Sequence, residues 1–210
     1  MFVVLFEVRP KKSQWDRYLE LAGMLRPELE QIPGFIDNDR YASKQTDGKL
    51  LSLSTWESEK ALIRWRTQSL HHDVQQQGRF EVFEDYHLRV GEVATASERP
   101  ELPKTRFDVT ETGPAAAATV AEVAPGAHGP ATPEPNDDLT DTEWYTDIND
   151  EGKRLLLASW RSPDAATDWI NRQTPEARYR QIRIIRDYGM HDRTEAPQYY
   201  PDVDQAPEAA

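Results

Sequence analysis

The chain has 210 residues, room for two small domains, and its 25 Lys and Arg against 37 Asp and Glu give a net charge of −12. That balance argues against nucleic acid, because phosphate contacts need a basic stripe. The absence of cysteine excludes disulfides, iron–sulfur clusters, thiolate ligands and cysteine nucleophiles together. No apolar run approaches the roughly 18 residues of a spanning helix, and no basic leader precedes the first strand, so the expectation is a cytoplasmic protein without a membrane partner.

Phe2–Val8 is apolar and β-branched up to Arg9-Pro10, which predicts a buried strand. Ser13 is the expected cap of a helix whose apolar face carries Trp15, Tyr18, Leu19, Leu21, Ala22, Leu25 and Leu29, with Pro27 kinking its last turn. Ile32-Pro33-Gly34-Phe35 ends that helix and launches a second strand through Tyr41, and Thr46-Asp47-Gly48-Lys49 makes a hairpin turn. In the third strand Leu51, Leu53 and Thr55 alternate with Ser52, Ser54 and Trp56, so small polar side chains leave room above one face. A second helix from Ser58 to Gln77 and a fourth strand over Tyr86–Val93 complete the order β-α-β-β-α-β. That order is ferredoxin-like, with both helices on one face of an antiparallel sheet and the other face bare.

The same unit recurs. At a constant offset of 104 positions the pairs Asp37/Asp141, Tyr41/Tyr145, Gly48/Gly152, Lys49/Lys153, Leu51/Leu155, Leu53/Leu157, Trp56/Trp160, Ser58/Ser162, Ala61/Ala165 and Trp65/Trp169 are identical. A period of that size is a duplicated small domain rather than a solenoid repeat. In the second copy Arg106–Thr112 is expected to be the first strand and Arg178–Arg186 the last. Residues 113–137 are rich in Ala, Pro and Gly, so at best Ala115–Val123 keeps two helical turns and the rest is loop. Pro175 shortens the second helix.

The expected division is a first domain over 1–95, a linker over 96–104, a degenerate second domain over 105–193 and an acidic tail over 194–210, where Tyr199-Tyr200 is free to pack back. The fold class is α+β, with two ferredoxin-like units whose bare sheets cover each other in a barrel-like pseudo-dimer. The barrel closes within one chain or across a homodimer. Catalysis belongs to the first half, which keeps its helices.

Pro33-Gly34-Phe35, the strand Leu51–Trp56 leading into Trp56-Glu57-Ser58-Glu59-Lys60-Ala61, and Trp65 together resemble the antibiotic biosynthesis monooxygenase superfamily. The resemblance implies dimeric α+β barrels that include cofactor-free anthrone and quinol oxygenases, heme-degrading enzymes and proteins without activity. Trp56 matches a tryptophan lining the anthrone site, while Ser52 and Leu62 stand where those enzymes have asparagine and tyrosine. Trp65 matches a porphyrin-contacting tryptophan of the heme enzymes. Gln75 takes the place of their axial histidine, with His71 and His72 one turn nearer the helix start.

The expectation is a cofactor-independent monooxygenase oxidising a small aromatic, quinol- or anthrone-like substrate with O2. Heme binding or heme degradation is the first alternative, and a non-catalytic ligand-binding barrel the second. Such an oxygenase needs a base and a stabilised anion. His71 and His72 are the candidate bases, Arg66 and Arg79 the anion partners, and Trp56 and Trp65 the aromatic walls, with Ser52 on the floor.

Blander readings compete. Trp56 and Trp65 recur in the second copy as core anchors would; His71-His72-Asp73 reads as a solvated helix face, with only one histidine able to face a pocket. Arg79, Asp85, Tyr86 and His87 read as an ion-paired surface turn. Five scattered histidines make no metal set, and no Gly-rich loop follows a strand to hold a nucleotide.

Overall fold

The computed structural model describes residues 1–97 and 102–197. β1 (Phe2–Pro10) is flanked antiparallel by β3 (Leu50–Trp56) and β4 (Phe83–Ala96), so that Leu5 lies between Leu53 and Arg89. β2 (Phe35–Ser43) joins β3 through the turn at Gly48, whose φ of +73° is a left-handed conformation suited to glycine. β5 (Ala117–Val123), β6 (Leu139–Asp147), β7 (Arg154–Trp160) and β8 (Ala177–Gly189) follow. β2 pairs with β6 and β4 with β8, closing the order β1-β3-β2-β6-β7-β5-β8-β4 into a barrel within one chain.

The second half repeats the pairing of the first. Ala117 on β5 faces Trp160 and Arg183, as Phe2 on β1 faces Trp56 and Glu92. Inward-pointing Val3, Leu5, Leu51 and Leu53 meet Val120, Leu155, Leu157 and Ile182 in one core.

Two charged clusters of the same make-up sit in that interior. In one, Arg89 donates to Glu7 and to Ser159 Oγ (2.6 Å), Tyr145 donates to Glu7 at 2.8 Å, and Lys49 pairs with Glu7 and Glu143. In the other, Arg180 donates to Glu122 (3.1 Å) and to Thr55 Oγ1 (3.0 Å), Tyr41 reaches Glu122 and Asp39, and Lys153 pairs with Asp39. Burial alone pushes Glu7 up, but Arg89 and Lys49 outweigh it and hold its carboxyl at about 2.

The helices cover the outer face of the first half. α1 (Trp15–Glu30) runs through Pro27; Ser13 sits in a preceding 3-10 turn and makes no cap bond, so the expected cap is absent. The single helix expected from Ser58 to Gln77 is instead two, α2 (Glu59–Arg66) and α3 (Ser69–Gln77). Ser58 caps α2 by accepting from the Ala61 amide, Thr67 bonds back to the Ile63 carbonyl, and the Gln68 side chain caps α3 by accepting from the His71 amide. A π-helical turn, Gly78–Val82, leads into β4.

The second half departs from the sequence reading at its start. Arg106–Thr112 is not a strand but an extended strap outside the sheet, held by Arg183 on the Asp108 and Arg106 carbonyls and by Glu92 on the Thr105 amide. The first strand is β5, where two helical turns were expected. Alanine favours helix in isolation, yet here alternate residues pack inward (Ala118, Val120) and outward (Ala117, Ala121), and tertiary packing decides. No counterpart of α1 exists among the described residues, and α4 (Pro163–Asn171) is the shortened second helix. The tail lies outside the described residues beyond 197, Tyr199-Tyr200 included. No described helix is long and apolar enough to cross a membrane.

Candidate active site

Between the outer face of the first-half sheet and its helices lies a cavity of about 220 Å³. Its floor follows from strand register. Val4 and Phe6 on β1 stand beside Ser54 and Ser52 on β3 and Val90 and Leu88 on β4, and Arg40 on β2 lies opposite Ser52. The serines keep the floor low, with Asn38 donating to Ser52 Oγ and Trp56 Nε1 donating to Ser54 Oγ, both at 2.9 Å. The roof is Tyr18, Leu21, Leu25 and Leu29 of α1, Leu62 and Trp65 of α2, and His71 and Val74 of α3.

The break between α2 and α3 brings His71 back onto Trp65. The two rings stack at 4.1 Å and 14°, and His71 Nδ1 lies 3.0 Å from the Trp65 carbonyl oxygen. That contact assigns the proton to Nδ1 and leaves the Nε2 lone pair available. Burial pushes the His71 pKa down to about 4, so the ring is neutral at physiological pH.

Of the residues singled out from the sequence, His71, Trp65, Ser52, Arg66 and Arg79 line the cavity. His72, about 100° further round the helix, is not among its walls. Trp56 is fully buried on the same face of β3 as Ser52 and Ser54, beside the cavity rather than on its wall, packed with Phe2, Ala61 and Leu62 and edge-on to Phe35 at 5.4 Å, where it is a core residue.

Arg79 is not part of an exposed turn. It is 2 % exposed and donates to Tyr86 Oη (3.2 Å) and to the Met190 carbonyl. His87, partly exposed, lies 2.5 Å from the buried Asp187 carboxylate.

Sequence reasoning missed Arg40, whose place opposite Ser52 follows from period-2 alternation in β2. It also missed Arg186, Tyr188 and Arg193, which reach the cavity only because β8 closes against β4. The charge of the lining inverts that of the protein. Arg26, Arg40, Arg66, Arg79, Arg186 and Arg193 border it, against one acid among the described residues, Glu59, which is itself paired with Arg106. A mainly apolar cleft with that rim suits a small amphipathic anion.

A profile of the antibiotic biosynthesis monooxygenase family matches residues 1–77. The chain is 39% identical over 218 residues to jasmonate monooxygenase ABM of Pyricularia oryzae, covering 96% of this chain and 99% of that protein. Among solved structures, an aldoxime dehydratase superposes with a TM-score of 0.53 at 10% identity over 87% of this chain and 80% of its own, a likeness of fold alone. An antibiotic biosynthesis monooxygenase structure covers 44% of this chain and 97% of its own at 16% identity, with a TM-score of 0.40.

Proposed function

The chain belongs to the antibiotic biosynthesis monooxygenase family, and we propose that it transfers oxygen from O2 to a small, largely apolar carboxylic acid of the jasmonate class bound beneath α1–α3. The observation carrying this reading is the cavity itself, with apolar walls, an arginine rim and one neutral imidazole. Jasmonate, for which the Pyricularia relative is named, is an alicyclic acid with a short hydrocarbon chain, and matches that lining. It differs from the flat quinol or anthrone expected from the resemblance. Ser52 and Leu62, in place of the asparagine and tyrosine of the anthrone enzymes, agree with the shift.

In this reading His71 is the catalytic group, offering Nε2 to a substrate proton, and an anion bound nearby raises its basicity from the depressed resting value. Trp65 and Ser52 shape the site, and Arg66 and Arg79 supply positive charge. No resident cofactor is invoked. One oxygen atom enters the product and the other leaves as water, so the two further electrons come from the substrate or an external donor.

The two-unit organisation belongs to the same proposal. Residues 1–95 and 105–193 are two copies of one unit, joined by 96–104 and followed by the tail 194–210, and together they close as a pseudo-dimer. The matching strand pairings and the matching Glu7–Arg89–Tyr145 and Glu122–Arg180–Tyr41 clusters support it.

The test is oxygen consumption and product mass with jasmonic acid, a quinol and an anthrone, each with and without NADPH. Turnover of jasmonic acid above the two aromatics is expected. Turnover of the aromatics alone would overturn the substrate class, and no turnover of any would overturn the activity.

A further inference from the structure

Resting on the reading of the cavity as a substrate site, we propose that Arg79 is the specificity-determining residue that binds the substrate's carboxylate. Three arginines, Arg79, Arg89 and Arg180, are each only 2 % exposed. Buried cations are ordinarily paired, since an uncompensated desolvated charge is costly. Arg89 has Glu7 and Ser159, and Arg180 has Glu122 and Thr55. Arg79 has a phenol and a backbone carbonyl, and among the described residues no carboxylate. Its Nε is buried without a hydrogen-bond partner, as are those of Arg89 and Arg180, so the missing carboxylate is what sets Arg79 apart. Arg79 is also the one of the three that borders the cavity.

Its setting concentrates positive charge. Arg79 sits on the π-helical turn Gly78–Val82, a backbone irregularity that recurs at functional sites. The Tyr86 oxygen takes hydrogen bonds from both Arg79 and Arg193, so two guanidinium groups converge on one phenol at the cavity edge. A ligand carboxylate would supply the planar, bidentate partner that a guanidinium fits best.

Binding there orients the molecule. Tyr86 lies opposite Val8 and Val90 opposite Val4, four residues or about 13 Å apart along β4. Trp65 packs with Val4, Leu88 and Val90. A carboxylate on Arg79 therefore sends the hydrocarbon end toward Trp65 and its stacked His71.

Isothermal titration of the wild-type protein with jasmonic acid and methyl jasmonate, and with octanoate and octanol, tests this at neutral pH. The acids are expected to bind about 10- to 100-fold more tightly than their uncharged partners, a ratio falling to about one in Arg79→Met and partly restored in Arg79→Lys. Equal affinity of acid and uncharged partner for the wild type, or an undiminished ratio in a folded Arg79→Met, would overturn the anchor, as would failure of both acids to bind. If Arg79→Met does not fold, the wild-type ratio and Arg79→Lys decide. Octanoate bound through Arg79 while jasmonic acid is refused would remove the jasmonate reading and leave the anchor standing.

Discussion

The outer faces of the two half-barrels meet different fates, although their strands pair alike. At an offset of 104 positions, Ser52 and Ser54 of the first half correspond to Leu156 and Ala158 in the second. There Leu156, Ala158 and Trp160 pack directly against Ala166 and Trp169 of α4, with Ala117, Ala121 and Val123 of β5 in the same cluster. Trp169 is 5 % exposed and lies edge-on to Tyr179, whereas its counterpart Trp65 borders open space and stacks on His71. The second half fills its outer face with packed side chains, whereas the first thins its floor and raises a three-helix roof, which is the difference the proposed ligand site requires.

Making the first floor like the second should break the comparison most severely. Ser52→Leu puts a side chain into the cavity and is expected to lower turnover at least about 100-fold, because misplacing a substrate by an ångström costs that much. Circular dichroism should show the barrel intact. His71→Ala comes next, with kcat expected to fall about 100-fold as for loss of a positioned acid–base group, while His72→Ala stays within about twofold in the same assay.

The paired tryptophans separate function from stability. Trp169→Ala should cost about 3–5 kcal/mol in urea unfolding, the range for emptying a packed aromatic site. Trp65→Ala should cost less and show itself mainly as a raised KM.

The smallest effect concerns pH. Burial lowers the His71 pKa to about 4 in the folded chain from its ordinary 6.5, so between these the unfolded chain holds more protons. Its contribution is therefore full above the upper value and lost as pH falls toward the lower one. Replacing His71 by Phe should flatten urea stability across that interval. Glu7, held at about 2 against 4.5, loses its contribution in the more acid interval between those values, and the wild type and the His71→Phe variant should share that loss.

Much of this was legible locally. Alternation in Leu51–Trp56 placed serines on one face, and the adjacency of His71 and His72 meant that only one could reach the ligand. What was not legible depends on distant chain. Arg79 reads as a surface residue until Met190, 111 positions away, closes over it. Ala117–Val123 reads as helix until β7 and β8 flank it on both sides. The interruption at Thr67-Gln68 rests on side chains bonding back to their own backbone, which unremarkable residue types did not announce.

The central claim is that oxygen transfer takes place beneath the helices of the first half. Incubation of the wild type and of Ser52→Leu with jasmonic acid under ¹⁸O2 tests it most directly, with product read by mass spectrometry. The account predicts one labelled oxygen atom per product molecule from the wild type and almost none from the folded variant; labelled product from Ser52→Leu at the wild-type rate would contradict it.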